Sequence, residues 1–148
     1  MDEIRPWLYI GKYRDTLDKD NLETESIKAM LQLAEYVEQK GVSSLYLPVE
    51  DLAPLRIEHI KMGIEFIKEN YHKRYHILIA CGAGINRSTA FCIIALKEIE
   101  GLGLFEAYQN IKLHHSDAFP HEPLWNSLCN YYEEPVPYIN VIRLNAYK

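Results

Sequence analysis

Apolar positions along this chain follow two rhythms. Short unbroken runs mark buried strands: Trp7 to Ile10, closed off by Pro6 and Gly11; Val42 to Val49; and Ile77 to Ala80, which ends in Cys81. Longer stretches repeat at helical spacing. Ile57, Ile60, Ile64 and Ile67 share one face of a helix over Arg56 to Tyr71. From Arg87 to Ile99 the apolar residues run nearly all round, which predicts a buried helix ended by Gly101. Leu104 to Leu113 and Pro123 to Tyr132 predict two more helices, with Pro123 suited to a first turn. Tyr13 to Thr24 is polar and reads as a loop with a short helix. Ile27 to Lys40 is ambiguous: Ile27, Met30, Leu31, Ala34 and Val37 recur at helical spacing and Gly41 is a ready cap, so local preference says helix. The tail, 135–148, alternates apolar and polar residues and fits an edge strand, a docking arm or coil.

Strands alternating with helices predict an α/β fold: a central, mainly parallel sheet of four or five strands flanked by helices. The length of 148 residues suits one domain with a substantial core, and 48% hydrophobic with 25% charged residues is ordinary for a soluble globular protein. A net charge of −5 argues against general binding of nucleic acid or of an acidic membrane surface. Three cysteines, Cys81, Cys92 and Cys129, lack the paired spacing of a zinc site or a disulfide framework, which suits a reduced, cytoplasmic protein. The opening MDEIRPWLYIG is no secretory signal, and no apolar stretch approaches the length of a membrane span. Cys92 and Cys129 read as small packing residues.

The chemistry concentrates in ILIACGAGINRST, 77–89, where a strand passes through a glycine-containing loop into a helix. Gly82, Ala83, Gly84, Ile85 and Asn86 carry small or uncharged side chains, so the backbone can turn its N–H groups into one concavity at the helix N-terminus, a site for a phosphate-like dianion. Arg87 adds a planar fork for two oxygens of that anion. The same field favours the nucleophilic thiolate of Cys81, and the Ser88 hydroxyl is placed to donate to the sulfur. A proton must also reach the leaving group. Glu50 and Asp51 follow a strand at the sheet end where ligands bind, and Asp51, 30 residues before Cys81, is the candidate acid, with Glu50 second; the structural alternative is a cap on the helix beginning near Leu55. His114, His115, Asp117, His121 and Glu122 lack a defined ligand spacing, so they read as residues of a solvated turn, and no metal is expected.

Cys81, Gly84, Arg87 and Ser88 stand at the spacing of the cysteine-based protein tyrosine phosphatase signature, and the stretch resembles the dual-specificity branch of that family. Leu8 to Gly11 resembles its first strand, LPVED (47–51) its acid segment, and Glu106 to Tyr108 with Trp125 to Tyr131 its closing helices, so the likeness runs over about residues 4–134. It departs at Ala80, where the family usually has a histidine that orients the loop. The resemblance implies the dual-specificity phosphatase fold, a strand at about Ile27 to Leu33 in place of the helix, and Asp51 as acid. It also implies hydrolysis of phosphomonoesters through a phosphocysteine, with no cofactor and with phosphotyrosine, phosphoserine or phosphothreonine proteins as default substrates. The loop has no lysine, which disfavours polyphosphorylated inositol lipids. Small phosphate esters and RNA ends stay open as substrates. The alternative is a catalytically silent phosphate-binding module; sulfur transfer or arsenate reduction lacks a suitable second cysteine.

Overall fold

A computed structural model describes residues 1–146; Tyr147 and Lys148, the end of the tail, lie outside the described residues. Five strands form one sheet: β1 (Asp2–Arg5), β2 (Leu8–Lys12), β3 (Ile27–Gln32), β4 (Ser43–Tyr46) and β5 (His76–Cys81). Their order is β1-β2-β5-β3-β4, parallel throughout except where β1 runs antiparallel to β2 at the edge. The mainly parallel α/β sheet expected from the sequence is therefore present. β1 was not foreseen, because DEIR has no apolar run; it needs only Ile4 buried, having one strand beside it.

β5 lies at the centre, and its side chains alternate between the two faces of the sheet. Ile77, Ile79 and Cys81 enter the larger core, whereas Leu78 and Ala80 enter a smaller cluster with Tyr9, Leu22, Ile27 and Met30. The larger face is covered by α3 (Ile57–His72), α4 (Arg87–Glu100), α5 (Leu104–His114) and α6 (Glu122–Tyr132); α1 (Tyr13–Leu17) and α2 (Lys19–Thr24) lie on the other. The polar stretch 13–24 thus holds two short helices.

α4 is the central helix. Every residue from Ser88 to Leu96 is buried, as its all-round apolar pattern predicts, and Gly101 ends it in the left-handed conformation at φ 73°. α3 packs closely on it: a Cβ on Gly63 would sit 2.6 Å from the Phe91 ring. This burial holds the N-terminus of α4 rigid against the end of β5, where the cysteine loop runs.

Ile27–Gln32 is a strand, and 33–41 contains no helix. Between β5 and β4, Ala29, Met30 and Leu31 are fully buried, and ladder bonds on both edges outweigh the helical preference. Gln32, also buried, closes the following loop by donating from Nε2 to the Val37 carbonyl at 2.7 Å and accepting the Val37 N–H at 2.6 Å. β4 is shorter than the apolar run 42–49, although the Leu47 and Val49 N–H groups still bond to Gln32 and Leu33 carbonyls.

The tail corrects its sequence reading. It forms helix α7 (Tyr138–Asn145), neither strand nor coil, and docks on the core. Val141 is fully buried, and Asn145 donates from Nδ2 to the Tyr108 hydroxyl at 2.8 Å. Burial of Val141 at one turn of a helix satisfies an alternating pattern too short to separate the two periods.

Candidate active site

Cys81 is the last residue of β5, 3% exposed, and α4 begins at Arg87. The five intervening residues turn the chain, with Gly84 in the left-handed region at φ 70°. A Cβ there would lie 3.1 Å from the Gly11 carbonyl oxygen, so both the backbone angle and the close approach of β2 select glycine.

The loop's carbonyls point outward to donors behind it. Gly82 O accepts from the Tyr13 N–H at 3.4 Å, and Gly84 O is 2.7 Å from His115 Nε2. Ile85 O accepts from the Phe119 N–H at 3.0 Å and the Thr89 hydroxyl at 2.6 Å. In a trans peptide the C=O and the next N–H point in opposite directions. Outward carbonyls at Gly82, Gly84 and Ile85 therefore turn the Ala83, Ile85 and Asn86 N–H groups inward, next to the positive end of α4. A fourth loop amide, Gly84 N–H, donates to Cys81 Sγ at 3.2 Å. Ser88 Oγ lies 3.2 Å from the same sulfur and is fully buried. As a thiol the sulfur donates to Ser88; as a thiolate it accepts from Ser88 and Gly84 together.

Arg87 folds back over this bowl. Its Nη1 donates to the Val49 carbonyl at 3.2 Å, and Nη2 lies 3.2 Å from where a Gly82 Cβ would be. Its Nε is buried without a hydrogen-bond partner among the described residues; Asp51 Oδ1, at 3.5 Å, is an ion-pair neighbour outside good hydrogen-bond geometry. A guanidinium beside the loop with a buried N–H lacking a hydrogen-bond partner suits an oxyanion, because a buried donor left unpaired costs about 1–3 kcal/mol.

Asp51 stands at the rim, its side chain half exposed, with Glu50 exposed beside it. It does not cap a helix, since the N-cap of α3 is Arg56. Instead Asn86, 3% exposed, donates from Nδ2 to Asp51 Oδ1 at 2.8 Å and to the Asp51 carbonyl, while accepting the His121 N–H at 2.6 Å. Leu55 N–H bonds to Ser127 Oγ at 2.9 Å, so the segment after β4 is tied at both ends to the loop and to α6. A backbone role is all the sequence suggests for Asn86; its side chain links the acid segment to the anion loop.

Ala80 points to the opposite face, beside Tyr13, Thr16 and Gln32. It presents no donor to the loop. The 114–122 stretch departs from its reading as a solvated turn: His115 is buried, and its Nδ1 lies 2.6 Å from Asp2 Oδ2. Among the described residues no three His, Cys, Asp or Glu side chains cluster as metal ligands. Burial pushes the Cys92 thiol well up, with the nearby Cys81 adding to the effect, and burial likewise raises Cys129. All three cysteines are free.

Comparison with known proteins gives one consistent picture. A family model described as "Dual specificity phosphatase, catalytic domain" matches residues 8–134. Human dual specificity protein phosphatase 5 is 30% identical over 139 residues, covering 91% of this chain and 36% of that protein. Mouse dual specificity protein phosphatase 22 is 28% identical over 123 residues, 81% of this chain and 67% of the relative. The chain thus spans about a third of the first and two thirds of the second. Among solved structures, human DUSP28 superposes with a TM-score of 0.84 at 23% identity, covering 90% of this chain and 96% of that one. A mouse putative dual specificity phosphatase complexed with zinc tungstate gives 0.84 at 24% identity, covering 89% and 86%. These two structures bear on the fold.

Proposed function

Because this chain belongs to the dual specificity phosphatase catalytic-domain family, we propose that it hydrolyses phosphomonoesters through a phosphocysteine. The observation that supports this best is the convergence on one bowl: Gly84 N–H and Ser88 Oγ on Cys81 Sγ, inward amides, and Arg87 with Nη2 near Gly82 and Nε lacking a hydrogen-bond partner among the described residues. The phosphoryl group sits in the bowl, its oxygens held by the amides of Ala83, Ile85 and Asn86 and by Arg87. Cys81 thiolate attacks phosphorus, forming the S–P bond as the P–O ester bond breaks. Asp51, carrying its proton, delivers it to the leaving oxygen.

In the second step Asp51 takes a proton from water, the water oxygen attacks phosphorus, and the S–P bond breaks to release inorganic phosphate. Ser88 and Gly84 receive the departing thiolate with two hydrogen bonds. The reaction needs no cofactor. The default substrates are proteins bearing phosphotyrosine, phosphoserine or phosphothreonine. The loop has no lysine for additional phosphates, and its rim carries exposed Leu52 and Ile85, which suit the surroundings of a phosphorylated side chain. A free Cys81 thiol is consistent with a reducing compartment, such as the cytoplasm. No helix among the described residues is long and apolar enough to cross a membrane.

Hydrolysis of a small aryl phosphate between pH 5 and 8 by the wild type, Cys81→Ser and Asp51→Asn tests the reading. It requires turnover in the wild type, none with Cys81→Ser, and impairment with Asp51→Asn that grows as the leaving group becomes more basic. A wild type that binds tungstate without turnover is a silent phosphate-binding module instead.

A further inference from the structure

We propose that His115 is a positioning residue of the catalytic loop, pinning the Gly84 carbonyl outward so that the Ile85 N–H stays aimed at the bound anion. The proposal rests on the loop being a phosphate cradle and names what keeps that cradle formed. His115 follows α5 and lies far along the chain from the loop, yet it is 8% exposed, with Nε2 2.7 Å from Gly84 O and Nδ1 2.6 Å from Asp2 Oδ2.

Both partners are acceptors. Both ring nitrogens are thus engaged, and the two contacts fix the ring between β1 and the loop. They act on the weakest peptide in the loop. The described residues contain no cis peptide, so the Gly84 carbonyl and Ile85 N–H point oppositely, and rotating that one plane would put a carbonyl oxygen where the anion's oxygen belongs. Gly84 offers little steric resistance to such a rotation, since glycine is at home on both sides of φ 0°.

The neighbouring carbonyls of Gly82 and Ile85 each have a backbone N–H partner, from Tyr13 and Phe119, which any sequence supplies, and Ile85 O has the Thr89 hydroxyl besides. For Gly84 O, the partner among the described residues is a side chain. Ala80 offers the loop no donor of its own. Asp2 belongs to β1, so the polar edge strand holds the ring from the side opposite the bowl.

The test measures how fast Cys81 is alkylated at neutral pH by iodoacetate, an anion the bowl should attract, relative to neutral iodoacetamide, with peptide mapping to assign the site. His115→Gln should lower the iodoacetate-to-iodoacetamide ratio about tenfold, because an anion sees only the fraction of molecules with the amide aimed inward. kcat/KM on an aryl phosphate should fall by a similar factor. His115→Arg, with charged donors, should recover most of both. A merely structural role would lower the melting temperature and leave the ratio unchanged; a folded His115→Gln protein with the wild-type ratio overturns the proposal. Should His115→Gln fail to fold, Asp2→Asn, altered at a half-exposed side chain, should lower the ratio about threefold, and an unchanged ratio there overturns it equally. A wild type that prefers iodoacetate but hydrolyses nothing would refute the phosphatase reading and leave the His115 assignment standing, since alkylation needs no turnover.

Discussion

Replacing Asn86 with alanine cuts the tie between the proposed acid, Asp51, and the loop of the proposed nucleophile, Cys81. The side chain is almost wholly buried and carries three contacts, two to Asp51 and one from the His121 N–H. Asp51 is half exposed, so water can replace what Asn86 gave it at little cost. The His121 N–H stands at the N-cap of α6 and loses its acceptor, a loss of about 1–3 kcal/mol. For a chain of 148 residues each kcal/mol moves the melting temperature by about 3 °C, so the variant should melt about 3–10 °C lower while still folding. The kinetic effect should depend on the leaving group. A positioned acid is worth about 10²–10⁴-fold, and an untethered Asp51 keeps part of that, so hydrolysis of phenyl phosphate should fall about tenfold. 2,4-Dinitrophenyl phosphate, whose phenolate leaves without a proton, should change by less than about twofold. Steady-state kinetics on the two esters is the assay. Equal losses on both would refute the reasoning, because Asn86 would then act on the phosphate bowl and not through Asp51.

Three other outcomes follow from the packing and charges. Gly63→Ala should destabilise by about 1–3 kcal/mol in chemical denaturation, although alanine is the better helix former, because its Cβ would meet the Phe91 ring at 2.6 Å; a gain in stability contradicts the close packing of α3 on α4. Low peroxide should oxidise Cys81 before Cys92 and Cys129, whose thiols burial pushes up, and mass spectrometry showing equal modification of all three would count against it. Burial raises the Glu134 carboxyl, but the Lys97 ammonium at 2.6 Å and the Leu104 N–H at 2.6 Å outweigh it and leave the group below its ordinary 4.5. A depressed carboxylate stabilises the fold above that ordinary value and stops doing so as acid protonates it. Wild type should therefore lose its advantage over Glu134→Gln as pH falls below about 4.5, and a constant difference between the two down to pH 3 refutes this.

The sequence by itself determined the cysteine loop and its setting. Cys81 after an apolar run, small residues through Asn86, and Arg87 opening a helix apolar on every side are local facts, because a strand end, an anion loop and a helix N-terminus are all built from adjacent residues. A mainly parallel α/β plan of four or five strands was legible for the same reason, in alternating strand-like and helix-like runs. The strand at Ile27–Gln32 was legible only through the family resemblance, since helical spacing there is overruled by ladder bonds from β4 and β5, which lie elsewhere in the chain. Tertiary structure alone decided β1, whose polar residues take their conformation from β2, and α7, whose pattern suits either period until Val141 finds the core. It also decided the partners of the loop. Asn86 meets Asp51 across 35 residues and His115 meets Gly84 across 31, and neither contact leaves a periodic mark. Hydrophobic periodicity records which face of an element is buried; hydrogen bonds between single polar side chains and distant backbone depend on where the folded elements bring them, and only the assembled core sets that.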